Sequence, residues 1–243
     1  MKKVTSRPVE PEELNIEQKT TLGLSLWLLL AVHFTLNYLT FTYYAEDLLS
    51  MKTMGYWIFI LNNIFLASLV FFNKRVMNWS WSDLGLGKPV NWWQPLVITL
   101  VTSGALLLFS RLVRPDIIET FGKHQNVGHV LAIKDNLSLL ITSTLTMWIT
   151  AAFLQELVFR AFLIRALDSL LGKTGWSLWV AVLTSAIIFA GVYAHQGMTG
   201  ILITGFVGLV FGIAYILNGR RIWPLILVHG LVDTLTFISI YNM

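Results

Sequence analysis

The sequence predicts an all-α, polytopic membrane bundle of about seven to eight spans around a central polar cavity. Three observations carry that prediction. Of 243 residues, 56% are hydrophobic and 12% charged, against about 45–50% and 25% in soluble domains. Seven apolar stretches are each long enough to cross about 30 Å of hydrocarbon as a helix. Three of the later stretches carry an ionisable turn, although each such group costs about 2.5–3.5 kcal/mol on insertion scales unless it is shared.

No apolar run begins before Leu22, and residues 1–21 mix Lys2, Lys3, Arg7 and Lys19 with Glu10, Glu12, Glu13 and Glu17. They read as a polar cytoplasmic tail without the apolar core of a cleavable signal, and residues 22–240 as one membrane-embedded helical domain. The stretches lie near 22–44, 55–73, 95–113, 136–154 running on to about 167, 176–194, 200–217 and 224–240. With the N-terminus inside, 12 of the 17 Lys and Arg fall on the inner side, as the positive-inside rule favours. The basic loop at 115–135 opposes that orientation and leaves room for an eighth, re-entrant segment. Between the second and third stretches, Trp79, Trp81, Trp92 and Trp93 alternate with polar residues, the pattern of a segment seated in the headgroups. Six glycines between Gly197 and Gly219 suit close helix packing.

The chain has no Cys, which excludes disulfides, thiolate metal sites and a cysteine nucleophile. Its net charge of +4 reads as topology marking beside anionic lipid rather than nucleic-acid binding. The chemistry must come from Glu, Asp, His, Ser and Tyr. In TAAFLQELVFRAFLIRAL, Glu156 and Arg160 are four apart on one helical face, so they can form a neutralising ion pair. His229 and Asp233 have the same spacing in a later stretch, and His195 ends another. A polar turn on each of three separated helices points to a shared site, because insertion alone favours none.

Together these residues resemble the CPBP family, the CAAX protease and bacteriocin-processing (Abi) group of intramembrane proteases. The family pattern is Glu-Glu-x-x-x-Arg, then Phe-x-x-x-His, then His-x-x-x-Asn or Asp. QELVFR (155–160) follows the first motif and HGLVD (229–233) the third, and SDLGLGK (82–88) is similar to the short polar segment that precedes the family core, so the resemblance covers about 80–240. It implies an intramembrane endopeptidase of the bacterial cell membrane. Water held between a Glu and a His attacks a peptide carbonyl, and His229 with Asp233 stabilises the oxyanion. The implied partners are the bilayer and a peptide or protein substrate, prenylated CAAX proteins being one class allowed; a partner protein is allowed too.

Two positions depart from the pattern. Gln155 stands where the family has its first Glu, and an amide is no base. Tyr193 stands where the second-motif His is expected, with His195 two residues later, about 200° around a helix. Either Tyr193 or His195 can fill that role. The candidate site is therefore Gln155, Glu156, Arg160, Tyr193, His195, His229 and Asp233. His195, His229, Glu156 and Asp233 are acceptable zinc ligands in type, but no HExxH helix is present and the resemblance implies a metal-independent mechanism, so neither metal nor cofactor is expected. The alternative reading is a CPBP-like protein that has lost hydrolysis and serves as a membrane-embedded binding or partner-stabilising protein.

Overall fold

The computed structural model describes residues 14–45, 49–89, 91–123 and 128–243; most of the expected polar tail, residues 1–13, lies outside them. All regular structure among the described residues is helical. Seven long helices are α1 (Ile16–Tyr43), α2 (Leu49–Val76), α3 (Trp93–Leu112), α4 (Leu137–Leu170), α5 (Ser177–Val192), α6 (Gly197–Leu217) and α7 (Trp223–Tyr241). They follow the apolar stretches closely, because backbone groups in hydrocarbon can be satisfied only within a helix. The chain is an integral membrane protein by this measure: among the described residues, six helices are long and apolar enough to cross a membrane.

Three elements differ from expectation. α1 begins at Ile16 rather than near 22, because Asn15 caps it: its side chain accepts from the Gln18 amide while the Gln18 side chain accepts from the Asn15 amide. α5 has only 16 residues, about 24 Å of rise, since it stops at Val192. The loop after α3 holds a short helix, Arg114–Phe121, about 12 Å long and so well short of the hydrocarbon thickness.

Buried polar pairs tie the first two helices together. His33 Nδ1 lies 2.9 Å from Asn62 Oδ1, and Asn73 Nδ2 donates to Ser25 Oγ at 2.9 Å. α5 and α6 pack closely at their small residues, where a Cβ on Gly212 would come within 2.7 Å of Val182 Cγ1. α4 is the central element: Val158 through Ile164 are all buried.

The connecting segments gather on two faces. On one, Arg165 pairs with Asp83 at 3.3 Å, Arg220 with Asp168 at 3.1 Å, and the Ile222 amide donates to the Gly85 carbonyl. Gly85 has φ +74, and a side chain there would meet the Arg220 carbonyl, so glycine is required on two counts. On the other face, Thr199 Oγ1 donates to the Gly122 carbonyl and the Asp135 amide to the Tyr241 carbonyl. Of the four tryptophans expected at the headgroups, Trp81, Trp92 and Trp93 are exposed. Trp79 is only 9% exposed; it packs edge-on against Phe162 and beneath the Arg165 guanidinium, which makes it a core residue.

Candidate active site

The polar turns of α4 and α7 meet in the middle of the bundle. α4 is wound as π-helix over Trp148–Gln155 and again over Leu157–Leu163. Bonding from i to i+5 widens the turn beyond 3.6 residues, and Glu156 still lies one turn before Arg160 on the same side of the helix. Such π-turns recur at functional sites.

Glu156 is the hub. One carboxylate oxygen, Oε2, lies 3.2 Å from Arg160 Nε, and the other, Oε1, lies 2.8 Å from His229 Nδ1. Glu156 is fully buried and Arg160 1% exposed. The expected ion pair therefore forms, and the same carboxylate also holds a histidine 73 positions away. A carboxylate can only accept, so the shared proton sits on Nδ1 and fixes the ring orientation. The other ring nitrogen, Nε2, faces Asp233 Oδ2 at 3.6 Å, too long for a hydrogen bond but close enough for strong attraction. With His229 protonated, two cations balance two carboxylates in the cluster.

The rest of Arg160 is held by aromatic rings. Its guanidinium carbon lies 4.3 Å from the centre of Phe189 and 5.3 Å from that of Phe211, and its two terminal nitrogens make no hydrogen bond among the described residues. A desolvated cation between ring faces gains about 2 kcal/mol. Phe211 also packs edge-on against the His229 ring.

Gln155 points elsewhere. Its Oε1 accepts from the Tyr193 hydroxyl at 3.4 Å, a long and weak bond. The Tyr193 ring packs edge-on against Phe189, the ring that faces the Arg160 guanidinium, so the Gln155–Tyr193 pair borders the charged cluster. Tyr193 reaches Gln155 because α5 ends at Val192 and Tyr193 caps it. A short 3₁₀ turn, Ala194–Gln196, carries the chain on to α6. His195 lies in that turn, stacked on Phe41 with ring centres 3.5 Å apart, and its Nδ1 is 3.1 Å from the Val192 carbonyl oxygen. Among the described residues, no group of three or more His, Asp or Glu side chains is placed to hold a metal ion.

Sequence reading missed the supports. A Cβ on Gly230 would come within 2.6 Å of the Trp148 ring, and Trp148 Nε1 donates to Thr234 Oγ1 at 3.1 Å. The indole therefore seats the α7 turn that carries His229 and Asp233 against α4. Ser185 Oγ donates to the Phe159 carbonyl at 2.6 Å, joining α5 to the charged turn of α4. The glycine directly after His229 was the only sequence signal of these contacts; the aromatics look like ordinary apolar filling.

No curated protein and no solved structure matches the chain. Residues 137–235, less than half of the chain, match the family model described as type II CAAX prenyl endopeptidase Rce1-like. The polar cluster falls wholly inside that match, so the residues that build it lie in the part of the chain that is similar to Rce1-like type II CAAX prenyl endopeptidases.

Proposed function

We propose that the chain is an intramembrane endopeptidase of the CAAX-processing type, acting on a peptide or protein presented at the membrane, with hydrolysis slowed by the residues at its water-activating position. The observation that carries this reading is the 2.8 Å contact between Glu156 and His229. Two helices bring these groups into one buried cluster at a cost that a purely structural protein would avoid. Glu156 orients His229 through Nδ1, Arg160 anchors Glu156, and protonated Nε2 beside Asp233 donates to the oxygen of an attacked carbonyl as negative charge develops on it. The other half of the reaction is depleted. Gln155 and Tyr193 occupy the place of the family's Glu and His, and an amide and a phenol are poor acceptors of a proton from water near neutral pH.

The single polypeptide from α1 to α7 acts as one domain, with its core at about 80–240. The face carrying Lys74, Arg75, Arg165, Lys173, Arg220 and Arg221 is the cytoplasmic one, by the positive-inside rule, which puts the N-terminus in the cytoplasm. A bacterial cell membrane is the setting that the CPBP resemblance favours.

The Gln155–Tyr193 contact favours one second reading, a non-hydrolytic protein that binds peptides or stabilises a partner. Cleavage of a membrane-tethered peptide by the native chain, by Gln155→Glu and by Gln155→Glu with Tyr193→His separates the two. Slow turnover in the native chain that rises about 10²-fold in the double variant, the lower end of a general base's contribution, supports the endopeptidase. Peptide binding without cleavage by any of the three supports the second reading. Fast native turnover lost in Glu156→Gln would make Glu156 the base and overturn the assignment of roles.

A further inference from the structure

A groove of about 780 Å³ opens on the side of α4 away from the charged cluster. Its walls come from α2 (Ala67, Phe71), the segment after α2 (Trp81), α4 (Leu154, Leu157) and the start of α7 (Trp223). Ser68 supplies the one non-aromatic polar side chain among the lining residues. Phe71, Trp81 and Trp223 present large exposed ring surface there.

Two cations sit on the groove's own aromatics. Lys74 Nζ lies 4.8 Å from the centre of the Trp81 ring, and Arg75 Cζ lies 5.6 Å from that of Phe71. Neither forms an ion pair among the described residues. Asp83, the one acidic residue between α2 and α3, is taken by Ser80 and Arg165. From Ala67 to Lys74 is seven residues of α2, about 10 Å of rise, so the groove leads from apolar helix surface to a cationic end beside exposed tryptophans. That is the layout of a lipid: chain in hydrocarbon, phosphate at the interface.

We infer that this groove holds one acyl chain of an anionic phospholipid, with Lys74 and Arg75 taking the headgroup phosphate. The occupant is a bilayer lipid rather than the hydrophobic tail of a substrate. Leu154 and Leu157 back the groove, while Gln155 and Glu156 between them turn to Tyr193 and His229, so the body of α4 walls the groove from the candidate site. The inference does not depend on whether that site hydrolyses peptides.

The test is native mass spectrometry of the delipidated full chain in detergent, titrated with phosphatidylglycerol or phosphatidylcholine of matched chains. The expected result is one retained phosphatidylglycerol, preferred over phosphatidylcholine roughly thirtyfold, given about 1 kcal/mol for each of the two basic residues beside an anionic headgroup. Lys74→Gln with Arg75→Gln, both near the surface and outside the core, should abolish the preference, and Ala67→Trp should reduce retention of either lipid by filling the groove. Equal retention of the two lipids by the native chain, or an unchanged preference in the double Gln variant, would overturn the proposal. Displacement by a farnesylated peptide would assign the groove to substrate instead, and displacement by inorganic phosphate alone would reduce it to an ion site.

Discussion

Replacing Arg160 by Ala tests the physical basis of the cluster most directly. In the native chain, Arg160 Nε neutralises one oxygen of a fully buried carboxylate at 3.2 Å. Removing one partner of such a pair costs about 3–5 kcal/mol, because the other charge is left without compensation. Here His229 still holds the second oxygen at 2.8 Å, which places the loss near the lower end, about 3 kcal/mol. For a chain of this size that corresponds to a fall of roughly 6–12 °C in melting temperature. The assay is thermal unfolding in a fixed detergent, followed by helical circular dichroism, for Arg160→Ala, Glu156→Gln and the two combined. If the unpaired charge is the cause, adding Glu156→Gln restores a large part of the loss, and the double-mutant cycle gives a clear coupling term. A fall of under about 2 °C in Arg160→Ala, below what 1 kcal/mol would produce, would mean that Glu156 is solvated and that the ion pair does not hold it. An equal loss in the single and double variants would trace the effect to packing against Phe189 and Phe211 instead.

Gly230→Ala should destabilise by about 1–3 kcal/mol, as overpacking does, because the new methyl meets the Trp148 ring at 2.6 Å. Thermal melting measures this, and pairing it with Trp148→Leu should recover part of the loss. Asp83, in the segment between α2 and α3, gives a pH dependence. Burial alone would raise its carboxyl, but hydrogen bonds from the Ser80 amide and hydroxyl, with the Arg165 guanidinium, outweigh that and hold it below its ordinary 3.8. A folded value below the unfolded one contributes stability above about pH 4 that is lost as pH falls through the folded value. The melting temperature of native protein should therefore drop as pH falls below about 4, and Asp83→Asn should flatten that part of the curve; identical curves would refute the assignment.

Within the candidate site, the legible part was the part with local spacing. Glu156 and Arg160 are four apart, as are His229 and Asp233, and both pairs formed at 3.2 and 3.6 Å. The divergence of Gln155 from Glu156 was legible too, since neighbours on a helix point about 100° apart; they found different partners, Tyr193 and His229. Trp79 was misread because an aromatic among polar residues looks interfacial, whereas the chain after α2 folds back under Arg165 and Phe162. His33 went unread as a polar residue of α1 because its partner, Asn62, lies on another helix.

By itself the sequence determined the helical membrane class, the positions of the seven long helices and the polar turns of α4 and α7. Hydropathy and periodicity are properties of neighbouring residues, and the bilayer enforces them segment by segment. Only the tertiary structure decided that Glu156 reaches His229, that Tyr193 touches Gln155, and that the groove beside Lys74 lies behind α4 rather than at the charged cluster. Each depends on how far one helix runs before it stops and on how closely two helices approach. α5 ends at Val192, and the Gly230 turn of α7 lies flat against Trp148. Those distances are set by the packing of side chains far apart in the chain, which no local pattern encodes.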